Sequence, residues 1–141
     1  MTRTIKFRGK DIKTGEWVYG DILHAQNYDP NTRTATKSEN LIIVTGEVGE
    51  RSYVADIIPN TLGQFTGLHD KNGKEIYEGD ILRICKRHGG SKEEVRWHRD
   101  GFYIDEDALG WIYLRKLEYQ PQVIGNIHDN PELLKGGEEW L

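Results

Sequence analysis

The 141-residue chain has little cysteine, proline or methionine and no long apolar run. Its one cysteine, Cys85, cannot form an internal disulfide. The longest apolar runs, such as residues 41–44, are far shorter than the roughly 20 residues that cross a bilayer. Met1 is not followed by the charged and then apolar residues of a secretion signal. We therefore expect a cytoplasmic protein with no membrane partner.

An excess of positive charge is also lacking, because the formal net charge is −4. The whole molecule is therefore not expected to attract nucleic acid or anionic lipid, and such binding would need a local basic patch. Sixteen glycines, four tryptophans and seven tyrosines favour tight turns between strands that carry aromatic side chains. No long segment keeps the apolar period of a helix. The composition predicts a mostly β fold.

Two segments of the chain, residues 7–23 and 65–82, are similar to each other. Matching residues, always 58 positions apart, are Phe7 and Phe65, Gly9 and Gly67, Lys13 and Lys71, Gly15 and Gly73, and Tyr19 and Tyr77. The second copy then has one extra residue, Glu78, after which residues 79–82 match residues 20–23 letter for letter. This regular spacing indicates a repeated supersecondary unit.

Each copy of the repeat reads as a β-hairpin. Gly15 and Asn72-Gly73 mark the tips, and Asn-Gly is the preferred pair of a type I′ turn. The following Gly-Asp step is expected to bend the chain in both copies. Asp21 and Asp80 are interpreted as turn residues that accept hydrogen bonds from nearby backbone amides.

Several motifs in chain order carry a resemblance to a known family. They occupy residues 5–8, 17–21, 60–68, 70–81, 123–127 and 130–133. These motifs resemble the signature blocks of the YopX family of phage and prophage proteins. The resemblance implies an all-β protein whose C-terminal part is similar to an SH3-type barrel, encoded by a phage or prophage and located in a bacterial host cell. It implies no catalytic or binding residue.

The expected fold is mostly β, with small antiparallel sheets and hairpins, an SH3-type barrel-like C-terminal part and a short C-terminal helix. The predicted helix starts at Asn130 as N-cap, with Pro131 and Glu132 in its first turn. The expected division is an N-terminal β subdomain at 1–59, the barrel-like subdomain at 60–135 and a tail at 136–141.

No catalytic, cofactor or metal motif stands out. The phosphate-binding loop, the dinucleotide fingerprint and the calcium loop are absent. His88 and His98 could face each other across a hairpin of residues 82–98 and, with a nearby acid, hold a metal, but exposed strand histidines are far commoner. The acidic run at 105–107 is interpreted as a solvated turn. We therefore expect a protein that is not an enzyme and that has no cofactor, metal site or catalytic residue.

The most polarised segment, residues 83–99, has six Lys or Arg residues against two Glu. Candidate nucleic-acid-binding residues here are Arg83, Lys86, Arg87, Lys92, Arg96, Trp97 and Arg99. A hairpin with Gly89-Gly90 at its tip would form a basic ribbon on which Trp97 stacks a base. In the alternative interpretation, the charges protect a sheet edge from aggregation and Trp97 is in the core. The burial of Trp97 distinguishes the two.

The last residues, 138–141, combine two glutamates with Trp140 and Leu141. This tail is disordered, folded back on the domain, or a docking peptide in which Trp140 and Leu141 contact a partner. The leading hypothesis is a non-enzymatic protein-interaction module that binds a host or phage protein. The alternative is a nucleic-acid-binding accessory protein that uses the basic 83–99 hairpin. Exposed strand edges would also allow homo-oligomers.

Overall fold

A computed structural model describes most of the chain. The described ranges are residues 4–24, 27–29, 34–36, 41–45, 53–86, 89–106, 110–117 and 120–134. The chain consists of two compact units, Met1–Gln64 and Phe65–Leu141. The predicted subdomain limits at residues 59 and 135 stay predictions, and the tail 136–141 lies outside the described residues.

The first unit is built from antiparallel strands. They are β1 (Phe7–Lys10), β2 (Trp17–His24), β3 (Asn27–Asp29), β4 (Thr34–Thr36), β5 (Leu41–Thr45) and β6 (Tyr53–Ile57), followed by a 3-10 turn at Pro59–Thr61. The order β6-β5-β2-β1 forms one sheet, and β3 pairs with β4 as a separate hairpin. Gly9 packs against the fully buried Ile57, whose Cδ1 would lie 2.6 Å from a Cβ at position 9. The repeated Phe-x-Gly motif thus allows a close approach in this unit.

The second unit contains the remaining strands. They are β7 (Gly63–His69, entering from the first unit), β8 (Glu75–Tyr77), β9 (Asp80–Lys86), β10 (Gly89–Glu94), β11 (Arg96–His98), β12 (Gly101–Glu106), β13 (Gly110–Tyr113) and β14 (Gln122–Asn126). They form the sheets β10-β9-β14 and β11-β12-β13, and β7 pairs with β8. The buried core comprises Ile76, Leu82, Ile84, Val95, Ile104 and Leu114.

The mostly β fold is confirmed, but two finer expectations are not. Within the described ranges the only helical segments are 3-10 turns, and no closed barrel forms. The predicted C-terminal helix is a four-residue 3-10 turn, Pro131–Leu134, because the Leu133 N–H donates to the carbonyl of Asn130 three residues earlier. The Asn130 side chain accepts from the Asn126 N–H and does not cap a helix. No helix in the described part is long and apolar enough to span a membrane.

The hairpin tips of the repeat are confirmed, with φ values of 72° at Gly15 and 81° at Gly73. The type I′ assignment is wrong, because it requires positive φ at both central residues and Asn72 does not have it. Instead, the Gly73 N–H donates to the Asp70 carbonyl at 3.0 Å, closing a four-residue turn that ends in the left-handed glycine. Glycine is the residue that takes this conformation without strain.

The Gly-Asp step behaves differently in the two copies. In the second copy Gly79 has a φ of 88°, and the buried Asp80 accepts the Tyr77 N–H through Oδ2 at 2.7 Å. In the first copy β2 runs unbroken from Trp17 to His24, and Asp21 is exposed. The predicted bend is therefore wrong for Asp21 and right for Asp80. The inserted Glu78 supplies the extra residue that lets the second copy turn.

The sequence reading missed the principal buried turn residue, Asp70. Its Oδ1 accepts the N–H groups of Asn72 at 2.9 Å and Lys74 at 2.8 Å, and its Oδ2 accepts that of Val123 at 2.9 Å. Burial raises the pKa of Asp70, but the three N–H donors outweigh burial and hold the pKa below its ordinary value. Asp70 therefore fixes the hairpin turn and joins it to β14.

Candidate binding site

The basic segment does not form one hairpin. Arg83 is exposed on β9 opposite Lys92 on β10, but the pairing ends before Val95. Val95 is fully buried; its N–H donates to the Asp80 carbonyl, and its own carbonyl accepts the Gly79 N–H. The chain is thereby fixed between two sheets. The predicted hairpin is confirmed from residue 82 to Glu94, but Gly89 and Gly90 are paired residues of β10 rather than its tip. Residues 95–98 are not part of it, so the structure divides the candidate residues.

The remaining candidates fall into two groups. Arg96 and Trp97 belong to β11, which pairs with β12, and Arg99 is in the turn that follows. Lys86 ends β9, but its side chain lies outside the described part, and Arg87 is outside it altogether. Trp140 and Leu141 also lie outside the described residues, so their docking role stays a prediction.

Trp97 is 51% exposed, so its assignment to the core is wrong. It packs edge to face on Phe102, with ring centroids 5.1 Å apart and an interplanar angle of 74°. β11 is an edge strand in the order β11-β12-β13, which explains why one side of the indole stays open. Arg96, also exposed, forms an ion pair with Glu94 at 3.3 Å. The exposed indole meets one geometric requirement for base stacking.

The turn between β11 and β12 contains an unusual backbone conformation. His98 pairs with Gly101, which leaves Arg99 and Asp100 as the loop, and Arg99 has a φ of +58°. A non-glycine residue in the left-handed region costs roughly 1–2 kcal/mol relative to glycine. An exposed arginine therefore occupies a position that glycine fills with less strain. Such local strain is more frequent at functional sites.

Asp100 organises the outer face of the β11-β12-β13 sheet. Its Oδ1 accepts the hydroxyl of Tyr103 at 3.0 Å and that of Tyr113 at 2.9 Å. The two tyrosine rings lie across β12 and β13 with centroids 4.2 Å apart, and His98 contacts Tyr103 edge to face. Gly101 makes room for this cluster, because a Cβ there would lie 2.8 Å from Tyr113 Cε1. We call His98, Asp100, Gly101, Tyr103 and Tyr113 the Asp100 cluster.

Hydrogen bonding and burial shift the pKa values of two groups in this cluster. The hydroxyls of Tyr113 and Tyr103 lower the pKa of Asp100 because they stabilise its carboxylate. Burial, together with the hydrogen bonds to Tyr113 and Asp100, raises the pKa of Tyr103 well above its ordinary value. At neutral pH Asp100 is therefore ionised and Tyr103 is protonated.

Two cations extend the cluster beyond Tyr113. The Arg115 guanidinium lies 5.0 Å from the Tyr113 ring centroid, and the Lys116 ammonium lies 5.8 Å from it. Both belong to the 3-10 turn Leu114–Lys116, which places them on the Tyr113 side of the sheet. Cations within about 6 Å of an aromatic face are attracted by the ring quadrupole. The Tyr113 side of the cluster is therefore basic.

A cavity of about 240 Å³ lies beside the Asp100 cluster. β7 contributes Thr66 and Leu68, the start of β12 and its turn contribute Asp100, Gly101 and Phe102, and the end of β13 with the following turn contributes Tyr113, Leu114 and Arg115. The lining therefore combines an apolar wall with the carboxylate and guanidinium. The sequence reading named none of these residues as a site, although Asp100-Gly101 is a turn signal between two predicted strands.

The described ranges also locate the histidine, cysteine and acidic candidates. They contain no group of three or more His, Cys, Asp or Glu residues that could bind a metal. His98 is on β11, which does not pair with β9, and His88 lies outside the described part. Cys85 is exposed on β9. In the acidic run, Asp105 and Glu106 belong to β12 and not to a turn, and residue 107 is outside the described part.

The strand order and the repeated hairpin unit define a mostly β protein of small antiparallel sheets. The chain belongs to the YopX family, because the family model described as YopX protein matches residues 6–135. The crystal structure of protein EF1440 from Enterococcus faecalis is similar, with a TM-score of 0.55 and 28% sequence identity, over 95% of this chain and 100% of that chain. A comparison with curated proteins gave no match.

Proposed function

We propose that this YopX family protein is a non-enzymatic protein-interaction module that binds a host or phage protein in the bacterial cytoplasm. The observation that carries the proposal is the cavity of about 240 Å³ beside the Asp100 cluster. Pockets for small molecules and cofactors usually measure about 300–1,000 Å³. A smaller cavity at the end of a rigid sheet is better matched to one side chain of a protein partner.

The protonation states beside the cavity support binding without catalysis. A general acid or base works best when its pKa lies near the working pH. The pKa of Asp100 is shifted down and that of Tyr103 is shifted up, so both move away from neutrality. Neither group exchanges a proton readily at neutral pH. Both instead present a fixed charge or dipole, which is what a binding surface requires.

Site-specific photo-crosslinking in bacterial cells tests the proposal. A photoreactive phenylalanine replaces Arg115, which is exposed at the edge of the cavity. The matched control carries the same group at Lys71, an exposed position in the β7–β8 turn. We expect a protein adduct at position 115 and not at 71, and the purified captured protein should bind the unmodified chain.

Two further measurements complete this test. Binding of the captured protein should weaken with Arg115→Glu and stay unchanged with Lys71→Glu. A chain that lacks residues 136–141 shows whether Trp140 and Leu141 contribute, and light scattering of the pure protein measures homo-oligomers. The proposal is wrong if neither a phage-infected nor an uninfected host gives a protein adduct at position 115 above that at 71.

A second candidate function, single-stranded nucleic-acid binding, is favoured by the 51% exposure of Trp97 on an edge strand. Arg96 and Arg99 are exposed on either side of it in the sequence. Stacking of a base on an aromatic side chain contributes about 1–3 kcal/mol, and arginines neutralise phosphates. The net charge of −4 opposes nucleic-acid binding, because it repels nucleic acid at long range.

Fluorescence anisotropy with labelled single-stranded DNA and RNA tests this candidate. Trp97→Ala should weaken binding at every salt concentration. The double variant Arg96→Ala and Arg99→Ala should also reduce the slope of log K against log salt by about 1.4, since each lost phosphate contact removes roughly 0.7. The control double variant Lys13→Ala and Lys71→Ala removes the same charge from exposed hairpin turns. Absent or salt-independent binding refutes the candidate.

A further inference from the structure

Two of the polar groups that line the cavity, the Thr66 hydroxyl and the Asp100 carboxylate, already have partners within the protein. The Thr66 hydroxyl donates to the Ile76 carbonyl at 2.7 Å and accepts the Leu68 N–H at 3.2 Å. The Asp100 Oδ1 accepts two tyrosine hydroxyls. A polar guest would give up its hydrogen bonds to water without gaining equivalent ones inside, and this loss is unfavourable. The part of the cavity next to Thr66 and Leu68 therefore favours an apolar guest over a charged one.

The cavity has room for an aromatic ring next to the apolar part of its lining. Leu68 and Phe102 pack against the core from one side, and the Tyr113 ring and the buried Leu114 complete the wall. An apolar cavity of about 150 Å³ is enough to bind benzene. The observed volume of about 240 Å³ leaves room for the ring and the first carbon of an aromatic side chain.

The charges around the cavity differ in sign from the protein as a whole. Arg115 lines the cavity, and two further exposed cations adjoin its lining: Lys116, 5.8 Å from the Tyr113 ring centroid, and Arg99, next to Asp100 in the same turn. The Asp100 carboxylate opposes them, while the chain carries a net −4. At physiological salt the screening length is about 8 Å, so a bound ligand responds mainly to these near charges. Acidic residues on both sides of the anchoring ring would therefore be attracted to the edge of the cavity.

From these observations we propose that the cavity binds an aromatic side chain in an extended acidic segment of the partner protein. The inference rests on the proposed function, since it names the chemistry of the partner at the same site. The ring fills the apolar interior next to Phe102 and Tyr113. The acidic flanks lie against Arg115, Lys116 and Arg99.

A set of fluorescein-labelled peptides tests the proposal on the full chain. The probe peptide has a central phenylalanine with two glutamates on each side. In one matched peptide alanine replaces the phenylalanine, and in another lysines replace the glutamates. Anisotropy titrations should show the alanine peptide binding about tenfold more weakly than the probe, because the ring no longer fills the cavity. The lysine peptide should bind at least about tenfold more weakly, because like charges meet at the edge.

Charge reversal in the protein provides the reciprocal measurement. Arg115→Glu together with Lys116→Glu should weaken binding of the probe by about tenfold or more and should reverse the preference between acidic and basic flanks. Lys13→Glu together with Lys71→Glu makes the same change in net charge at exposed turns and should alter binding less than about twofold. Thermal unfolding of both variants controls for folding.

Three results would overturn the proposal: no binding of the probe at millimolar concentration, equal binding of the acidic and basic peptides, or equal effects of the two double variants. An oligothymidylate that displaces the probe with higher affinity would assign the surface to nucleic acid and would also overturn it. Rejection of this partner chemistry can be distinguished from rejection of the proposed function. A protein adduct at position 115 together with a non-acidic peptide preference would leave the interaction module intact and reject only this partner chemistry.

Discussion

Replacing Asp70 by asparagine tests the buried turn that joins the β7–β8 hairpin to β14. The variant keeps the shape of the side chain and one carbonyl oxygen, so the bonds from Asn72 and Lys74 can persist. The second carboxylate oxygen, which accepts the Val123 N–H at 2.9 Å, becomes an amide donor. The new amide group at position 70 and the Val123 N–H are then two donors that face each other. The side chain at this position is only 4% exposed in the parent protein.

The expected loss of stability follows from that geometry. A hydrogen bond to a charged acceptor contributes about 1.5–3 kcal/mol, and a buried donor left without an acceptor adds a penalty. We therefore expect Asp70→Asn to lower the free energy of unfolding by about 2–3 kcal/mol, measured by urea denaturation at neutral pH. The control Asp21→Asn changes an exposed carboxylate and should shift it by less than about 0.5 kcal/mol.

The same variant has a defined pH dependence. The pKa of Asp70 is lower in the folded protein than in the unfolded chain, so its contribution to stability is complete above the unfolded pKa of about 3.9. The contribution is lost as the pH falls through the folded value. The stability difference between the parent and Asp70→Asn should therefore shrink below about pH 4. A loss under about 1 kcal/mol at neutral pH, or a difference independent of pH, would refute the reasoning.

Three further predictions concern single positions. Gly125→Ala should lower the free energy of unfolding by about 1–3 kcal/mol in urea denaturation, because the new Cβ would lie 2.6 Å from Asn130 Oδ1; an unchanged value would mean that Asn130 moves freely. Gly79→Ala should cost roughly 1–2 kcal/mol in the same assay, because φ is 88° there; no loss would contradict that backbone. Asp100→Asn should move the titration of Tyr103 to lower pH in carbon NMR of labelled tyrosine, since a hydrogen-bonded anion no longer opposes deprotonation; an unmoved titration would assign the shift to burial alone.

Local signals predicted the parts of the fold that depend on a few neighbouring residues. The glycines at 15 and 73 were correctly placed at hairpin tips because positive φ is a property of the residue itself. The bend at the Gly-Asp step was predicted correctly only for the second copy. Residues 20–23 and 79–82 have the same sequence but different backbone paths, because Glu78 is inserted before the second segment. The prediction of a C-terminal helix was wrong, because a capping signal does not show that only four residues will be helical.

The candidate site depends on pairings that a single sequence does not reveal. Trp97 fits the alternation of a buried strand, but its exposure is decided by the position of β11 at a sheet edge. The cavity joins β7 to the turn before β12 and to the end of β13, segments up to 49 positions apart in the chain, from Thr66 to Arg115. The charge pattern of the sequence predicts a site in the basic run at 83–99, whereas the Asp100 cluster combines one carboxylate with aromatic residues and has no compositional signature.

The bond between Asp70 and Val123 spans 53 residues, and this separation affects how the protein is made. Ribosomes add about 5–20 residues per second, so β14 is synthesised roughly 3–10 s after the Asp70 turn. During that interval β9 can pair with β10, but its other edge still lacks β14. The nascent second unit therefore presents an open strand to chaperones and neighbouring chains until its last strand is complete. A chain truncated before residue 122 would keep that edge open permanently and should aggregate.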